Sequence, residues 1–216
     1  MNLLKKILSK FSSTHERNNS LSGLSLVDFL QMFDKAMKTD GKYLFGVVYG
    51  YLLGVKDATS QSYFMSGDKE VAEKVAHIPF DDIIDQMQKF FINTVKDNYS
   101  IPVFEVFRNF ISIFSFQGND DGSFRMMTLG NLCEHYVKLE DDISRGIIVG
   151  YVQASKDWMI LYMQLDLNTQ VKINKVHNID DIKDYIWKKA DTLHDFSEYI
   201  AQPIIVNSIC DIIKIH

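Results

Sequence analysis

The sequence predicts an all-α fold, two tandem copies of a four- to five-helix module that together form a pseudo-dimeric helical bundle. Three observations carry that expectation. Only three prolines occur in 216 residues, so long helices meet few breaks. Apolar residues recur at the helical period, as in Leu26, Phe29, Leu30, Phe33 and Met37. And one segment occurs twice: residues 46–58, GVVYGYLLGVKDA, return as residues 146–158, GIIVGYVQASKDW, with five of thirteen positions identical at a constant offset of one hundred.

In chain order, the first element is a short basic amphipathic helix. Leu3, Leu4, Ile7, Leu8 and Phe11 fall on one face and Lys5, Lys6 and Lys10 on another. Those lysines interrupt the apolar stretch a signal peptide needs. Such a helix docks on protein or touches a membrane surface. A polar linker, SSTHERNNSLS, completes residues 1–22. The first repeat is then expected at 23–117 and the second at 124–216, with the turn-rich QGNDDGS between them.

Each repeat carries four ordered blocks. Leu26, Phe29 and Phe33 recur as Leu129, Leu132 and Tyr136. In the second block the identities are Gly46/Gly146, Gly50/Gly150, Tyr51/Tyr151, Lys56/Lys156 and Asp57/Asp157. Gly46, Gly50 and Gly54 lie four apart, on one helical face, matched by Gly146, Gly150 and Ala154. A mid-helix glycine costs about 1 kcal/mol relative to alanine, and close approach of another helix is the compensation this line predicts. We therefore assign Gly46, Gly50, Tyr51, Gly54, Asp57, Gly146, Gly150, Tyr151 and Asp157 to structural packing. Tyr51, Tyr151, Asp57 and Asp157 are expected to satisfy buried helix ends. The third block begins at Asp81-Asp82 and Asp180-Asp181, carboxylates suited to a helix start. The fourth begins at Pro102 and Pro203, and proline favours a first helical turn. Between the second and third blocks of the second repeat, Leu165–Lys175 alternates weakly, which suggests a short extended segment.

Composition narrows function. Net charge is −5; residues 1–118 are neutral and residues 119–216, with 10 basic against 15 acidic residues, hold the excess. General nucleic-acid binding needs a basic footprint and is not expected; a basic protein partner would suit. Cys133 and Cys210 form no zinc pattern and read as buried reduced thiols. No apolar run is long enough to span a membrane. Candidate chemistry is thin. The Asp pairs, with His77 and His177 just before them, invite an acid–base or metal-assisted enzyme, yet metal sites need three or four ligands, and capping explains the pairs. His194, Asp195 and Glu198 read as a solvated helix face. No P-loop, nucleophile elbow or dinucleotide fingerprint is present, so neither catalytic residues nor a metal or cofactor is expected.

The segment Gly50-Tyr51-Leu52-Leu53-Gly54-Val55-Lys56-Asp57-Ala58, a G-Y-x-x-G-x-x-D-A pattern, resembles the signature of the Rap/Tai immunity proteins, small helical proteins that neutralise peptidoglycan-amidase effectors of type VI secretion. The copy at Gly150–Trp158 departs from it, with Ala154 for glycine and Trp158 for alanine. The family's later pattern, a proline-bearing loop, an amphipathic helix and a proline-started helix, is similar to Ile78–Lys89 with Pro102–Phe110, and to Asn178–Lys188 with Pro203–Ile212. The resemblance thus covers most of residues 24–214, twice. It implies a non-enzymatic protein that binds and occludes a cognate secreted toxin, either as a monomeric pseudo-dimer or as a homodimer. The family is exported and often disulfide-bonded; without a signal peptide, a cytoplasmic location and a toxin acting there are expected here, and the amidase target is not carried over. The expected partner-binding segment is the loop after each Gly-Tyr helix, in the first copy Ser60–Pro79, with Tyr63, Phe64, Met65, Asp68, Lys69 and Glu70. The competing reading is a helical adaptor or membrane-surface regulator that uses residues 1–11.

Overall fold

The computed structural model describes residues 26–38, 41–78, 102–114, 126–195 and 199–214. The basic amphipathic segment 1–11, Asp81-Asp82, Glu198 and the linking stretch 117–123 lie outside the described residues. Within them the chain is all-helical, with nine helices: α1 (Leu26–Lys38), α2 (Lys42–Met65), α3 (Lys69–Ala76), α4 (Val103–Phe114), α5 (Leu129–Val137), α6 (Asp142–Tyr162), α7 (Leu167–Lys175), α8 (Asp180–Thr192) and α9 (Ala201–Ile213). An antiparallel bridge joins Thr128 and Ile200. It places the start of α5 beside the start of α9, through Leu129 N–H to Tyr199 O (2.6 Å) and Ala201 N–H to Met127 O (2.9 Å).

Local sequence explains most helix starts. Asp68, Asp141 and Asp166 are N-caps whose carboxylates accept Val71, Ser144 and Thr169 N–H. Thr128 and Asn131 form a reciprocal capping box on α5. Asp180 and Asp181 fill the first turn of α8, and Asp181 Oδ2 accepts the His177 backbone N–H at 2.7 Å. Pro203 lies in the first turn of α9, and Pro102 immediately precedes α4.

Three local expectations are corrected. The Leu165–Lys175 stretch is not extended. It is the Asp166-capped helix α7, with Lys172 and Lys175 in the last turn, where cations suit the helix dipole. Two alternating apolar residues are too weak a signal against a cap at one end and lysines at the other. His194 and Asp195 are not helical: α8 ends at Thr192, the backbone turns extended at Leu193, and Asp195 adopts φ 54°. Finally, Ser60–Pro79 is no long loop. Helix α2 runs on to Met65, three residues turn the chain, and α3 follows.

Helices α1, α3 and α4 pack on α2, while α5, α7 and α9 pack on α6, with α8 against α5 and α9. The largest interface joins α2 to α6, and it is crossed reciprocally: α4 also reaches α6, and α9 reaches α2. Phe29, Leu52, Val55 and Phe104 from one half share a continuous core with Leu129, Ile148, Val152 and Ile205 from the other. Cys133 is buried in that core and Cys210 is half-buried; both are free thiols, and burial pushes both upward.

Candidate functional site

The middle of α2 has no amphipathic sidedness: Gly46–Val48 and every residue from Gly50 to Ser60 are buried. That burial follows from its contact with α6, where backbone meets backbone. A Cβ at Gly50 would overlap the carbonyl oxygen of Ile147, and one at Gly150 that of Val47. Gly46 and Gly146 are likewise blocked by the carbonyls of Ile143 and Tyr43. The fit relaxes one turn on, where a Cβ at Gly54 would sit 2.7 Å from the Cβ of Ala154. Gly46 thus faces Gly146 and Gly54 faces Ala154, so α2 and α6 run parallel and in register. Each glycine on this line points a Cα–H at a carbonyl of the other helix, a weak attractive contact, and the close approach compensates the helix propensity lost.

Beside the glycines the polar side chains cross over. The Tyr51 hydroxyl donates to Asp157 Oδ2 at 2.6 Å, and the Tyr151 hydroxyl donates to Asp57 Oδ2 at 2.7 Å. These four residues do not satisfy helix ends, as expected from sequence; they bond mid-helix across the interface, because parallel register brings each tyrosine within reach of the other helix's aspartate. All four are at most 1% exposed. Burial, reinforced by the facing carboxylate, drives both phenols far above their usual range. Burial also raises Asp57, against the opposing influence of Lys56, Tyr151 and Met127.

The two aspartates differ in their remaining partners. Asp57 Oδ2 also accepts the Met127 backbone N–H at 2.8 Å, whereas Oδ1 accepts no hydrogen bond and lies 3.5 Å from Lys56 Nζ, an ionic contact. Asp157 Oδ1 accepts from Gln153 Nε2 at 2.8 Å. The preceding lysines act alike. Lys56 Nζ donates to Ala76 O, at the end of α3, and Lys156 Nζ donates to Val176 O, just past α7. Burial lowers both ammonium groups, Lys156 to about 8, partly countered for each by the adjoining aspartate. Sequence reasoning assigned these lysines no partner. Their signal was the matching offset, twenty residues from lysine to carbonyl in both halves.

The expected partner-binding residues lie elsewhere, at the C-terminal end of α2. Phe64 is 54% and Met65 74% exposed, and Asp68, Lys69 and Glu70 are exposed beside them, while Tyr63 is half-buried. Gly67 makes the turn at φ 90°, where space for a Cβ is open but the backbone favours glycine. Asp68 caps α3, Lys69 sits over the Phe64 ring at 5.7 Å, and Glu70 pairs with Lys74 at 2.6 Å. The corresponding turn after α6 carries Gln164 at φ 51°, the Asp166 cap and Leu167, 62% exposed. The sequence offered this second turn as a candidate too, but no residue of it was singled out. Two cross-half contacts brace the ends: Trp158 Nε1–H donates to Ser62 Oγ at 3.0 Å, and Arg108 stacks on Tyr162 while donating to its hydroxyl at 2.9 Å.

His77 Nδ1 lies 2.7 Å from Glu73 O, and His177 is exposed. Among the described residues no three His, Cys, Asp or Glu side chains are grouped to hold a metal, and no helix is long and apolar enough to cross a membrane. No protein-family model, curated protein or solved structure matches the chain.

Proposed function

We propose that the chain is a tandem duplication folded as a pseudo-dimer, and that it works as a non-enzymatic immunity protein that binds and occludes a secreted toxin acting in the cytoplasm. One observation carries the proposal: the distribution of polar and apolar groups is the reverse of an active site's. The groups best suited to chemistry, Tyr51, Tyr151, Asp57, Asp157, Lys56 and Lys156, are sealed between helices at 0–2% exposure. Large apolar side chains, Phe64 and Met65, instead face solvent at a turn rimmed by charge. An exposed aromatic with a polar rim is the anatomy of a protein-binding surface. The reciprocal Tyr–Asp bonds and matched glycines support the duplication, since an isologous interface repeats each contact with the halves exchanged. The likeness of Gly50–Ala58 to the Rap/Tai signature supplies the class of partner.

The test is coexpression with the product of the adjacent open reading frame. That product is expected to be toxic alone, harmless with this chain, and to copurify with it. A harmless product that does not copurify overturns the reading.

A further inference from the structure

The last turn of α7, the start of α8 and the C-terminal end of α9 line an open cleft of about 310 Å³. Val176 and Ile213, both buried, and exposed Ile212 give it apolar walls. Lys172, Lys175 and Lys214 also line it. All three are exposed, and none has a hydrogen-bond or ion-pair partner. The negative groups nearby are already taken. Among the described residues Asp181 is the one carboxylate of the cleft, and its Oδ2 accepts the His177 backbone N–H. It also lies in the field of buried Lys156, which donates to Val176 O and so answers the carbonyl end of α7. Asp211, one turn before Lys214, accepts the Tyr185 hydroxyl of α8. Asp180, Lys183 and Asp184 lie outside the cleft. Three ammonium groups thus face one carboxylate and two helix ends worth roughly half a charge each, so positive charge is left unmet. The matching helix end of the first half differs: Lys74, in the last turn of α3, is paired with Glu70.

We propose that this cleft binds a small phosphate monoester, its phosphoryl group held by Lys172, Lys175 and Lys214 and its organic body laid on Val176, Ile212 and Ile213. Each lysine is a compact point charge with three donors. Three of them suit a group with three terminal oxygens and nearly two negative charges. A carboxylate offers two oxygens and a single charge. The volume sets the size of the ligand. Small-molecule sites run from about 300 to 1,000 Å³, and this cleft lies at the lower limit, room for one ring or a short aliphatic chain. The site is separate from the turn that carries Phe64 and Met65, and it does not rest on the immunity reading.

The experiment is calorimetry on the full chain at low salt and about pH 7.5, where a phosphate monoester is mostly a dianion, with phenyl phosphate as the probe. It is expected to bind with a dissociation constant of about 1 mM or tighter. Inorganic phosphate, which cannot cover the apolar walls, is expected to bind at least about threefold more weakly. Lys172→Gln, Lys175→Gln and Lys214→Gln are each expected to weaken phenyl phosphate at least about threefold, and the triple variant to abolish binding. Lys74→Gln, at the matching helix end of the other half, should leave it unchanged. All four lysines are exposed, and unchanged thermal melts verify folding. No binding of phenyl phosphate overturns the site. A loss with Lys74→Gln as large as with the cleft variants overturns it too, because the attraction would then be general. Equal binding of inorganic phosphate overturns the organic body of the ligand. Sedimentation with vesicles of phosphatidic acid and phosphatidylcholine, without binding of phenyl phosphate, overturns the small ester in favour of a lipid headgroup.

Discussion

Helix α2 serves two regions with opposite physics. Along its middle, Gly46 and Gly50 lie against the backbone of α6 with no side chain between the helices. Four turns on, Phe64 and Met65 project into solvent and touch little. The middle tolerates no added atoms; the end accepts many. A single helix therefore separates what must stay fixed from what is free to vary, and the rigidity of the first positions the second.

The sharpest way to break this contrast is to add volume at the seam. Gly50→Leu and Gly150→Leu each force a side chain into a carbonyl of the other helix, and each is expected to cost about 3 kcal/mol or more. Urea denaturation measures it. A loss under about 1 kcal/mol for either variant would refute the close approach. Next come the crossed tyrosines. Tyr151→Phe is expected to destabilise by about 2 kcal/mol, because it takes a hydrogen bond from a buried carboxylate. Tyr51→Phe is expected to cost a similar amount, since each aspartate keeps a donor, Gln153 Nε2 on Asp157 and the Met127 N–H on Asp57. Losses that differ by more than about 1 kcal/mol would show that the two aspartates are not equivalent.

Lys156 offers a pH-dependent comparison. Its folded value, about 8, lies below the ordinary 10.5, so between those limits the unfolded chain binds more protons at this site. The contribution of Lys156 to stability should then rise as pH climbs from about 8 towards 10.5. Melts of the wild type and Lys156→Met compared at pH 7.5 and 9.5 isolate it: the wild type should gain relative to the variant, and a constant difference would exclude the lowered value. The smallest effect is expected at the turn, where Phe64→Ser or Met65→Ser should change stability by no more than about 0.5 kcal/mol. A larger loss in the same melts would mean these side chains serve the fold.

Much of this architecture is written in spacing. Glycines four apart at 46, 50 and 54 and again, with alanine, at 146, 150 and 154 announce a close helix contact, because few other forces favour glycine inside a helix. The caps at Asp68, Asp141 and Asp166 are equally local. What spacing does not carry is the partner across the interface. Tyr51 and Asp57 lie on one helix, and nothing in their separation says that each bonds to the other half rather than to a helix end. That depends on parallel register, a property of the assembled pair. The turn residues were hidden for another reason. A stretch such as Ser60–Met65 reads as loop when its polarity is weighed alone, but it is the continuation of a long helix whose buried portion lies behind it.

The seam also limits how the two halves can change over time. Where two side chains meet, a larger residue on one side is readily offset by a smaller one on the other. At Gly50 and Gly150 the opposing group is a carbonyl of the main chain, which no substitution can shrink. Drift between the halves proposed to be copies is therefore blocked at those positions and released one turn later, where the meeting of Gly54 with Ala154 marks the point at which a methyl group was first admitted.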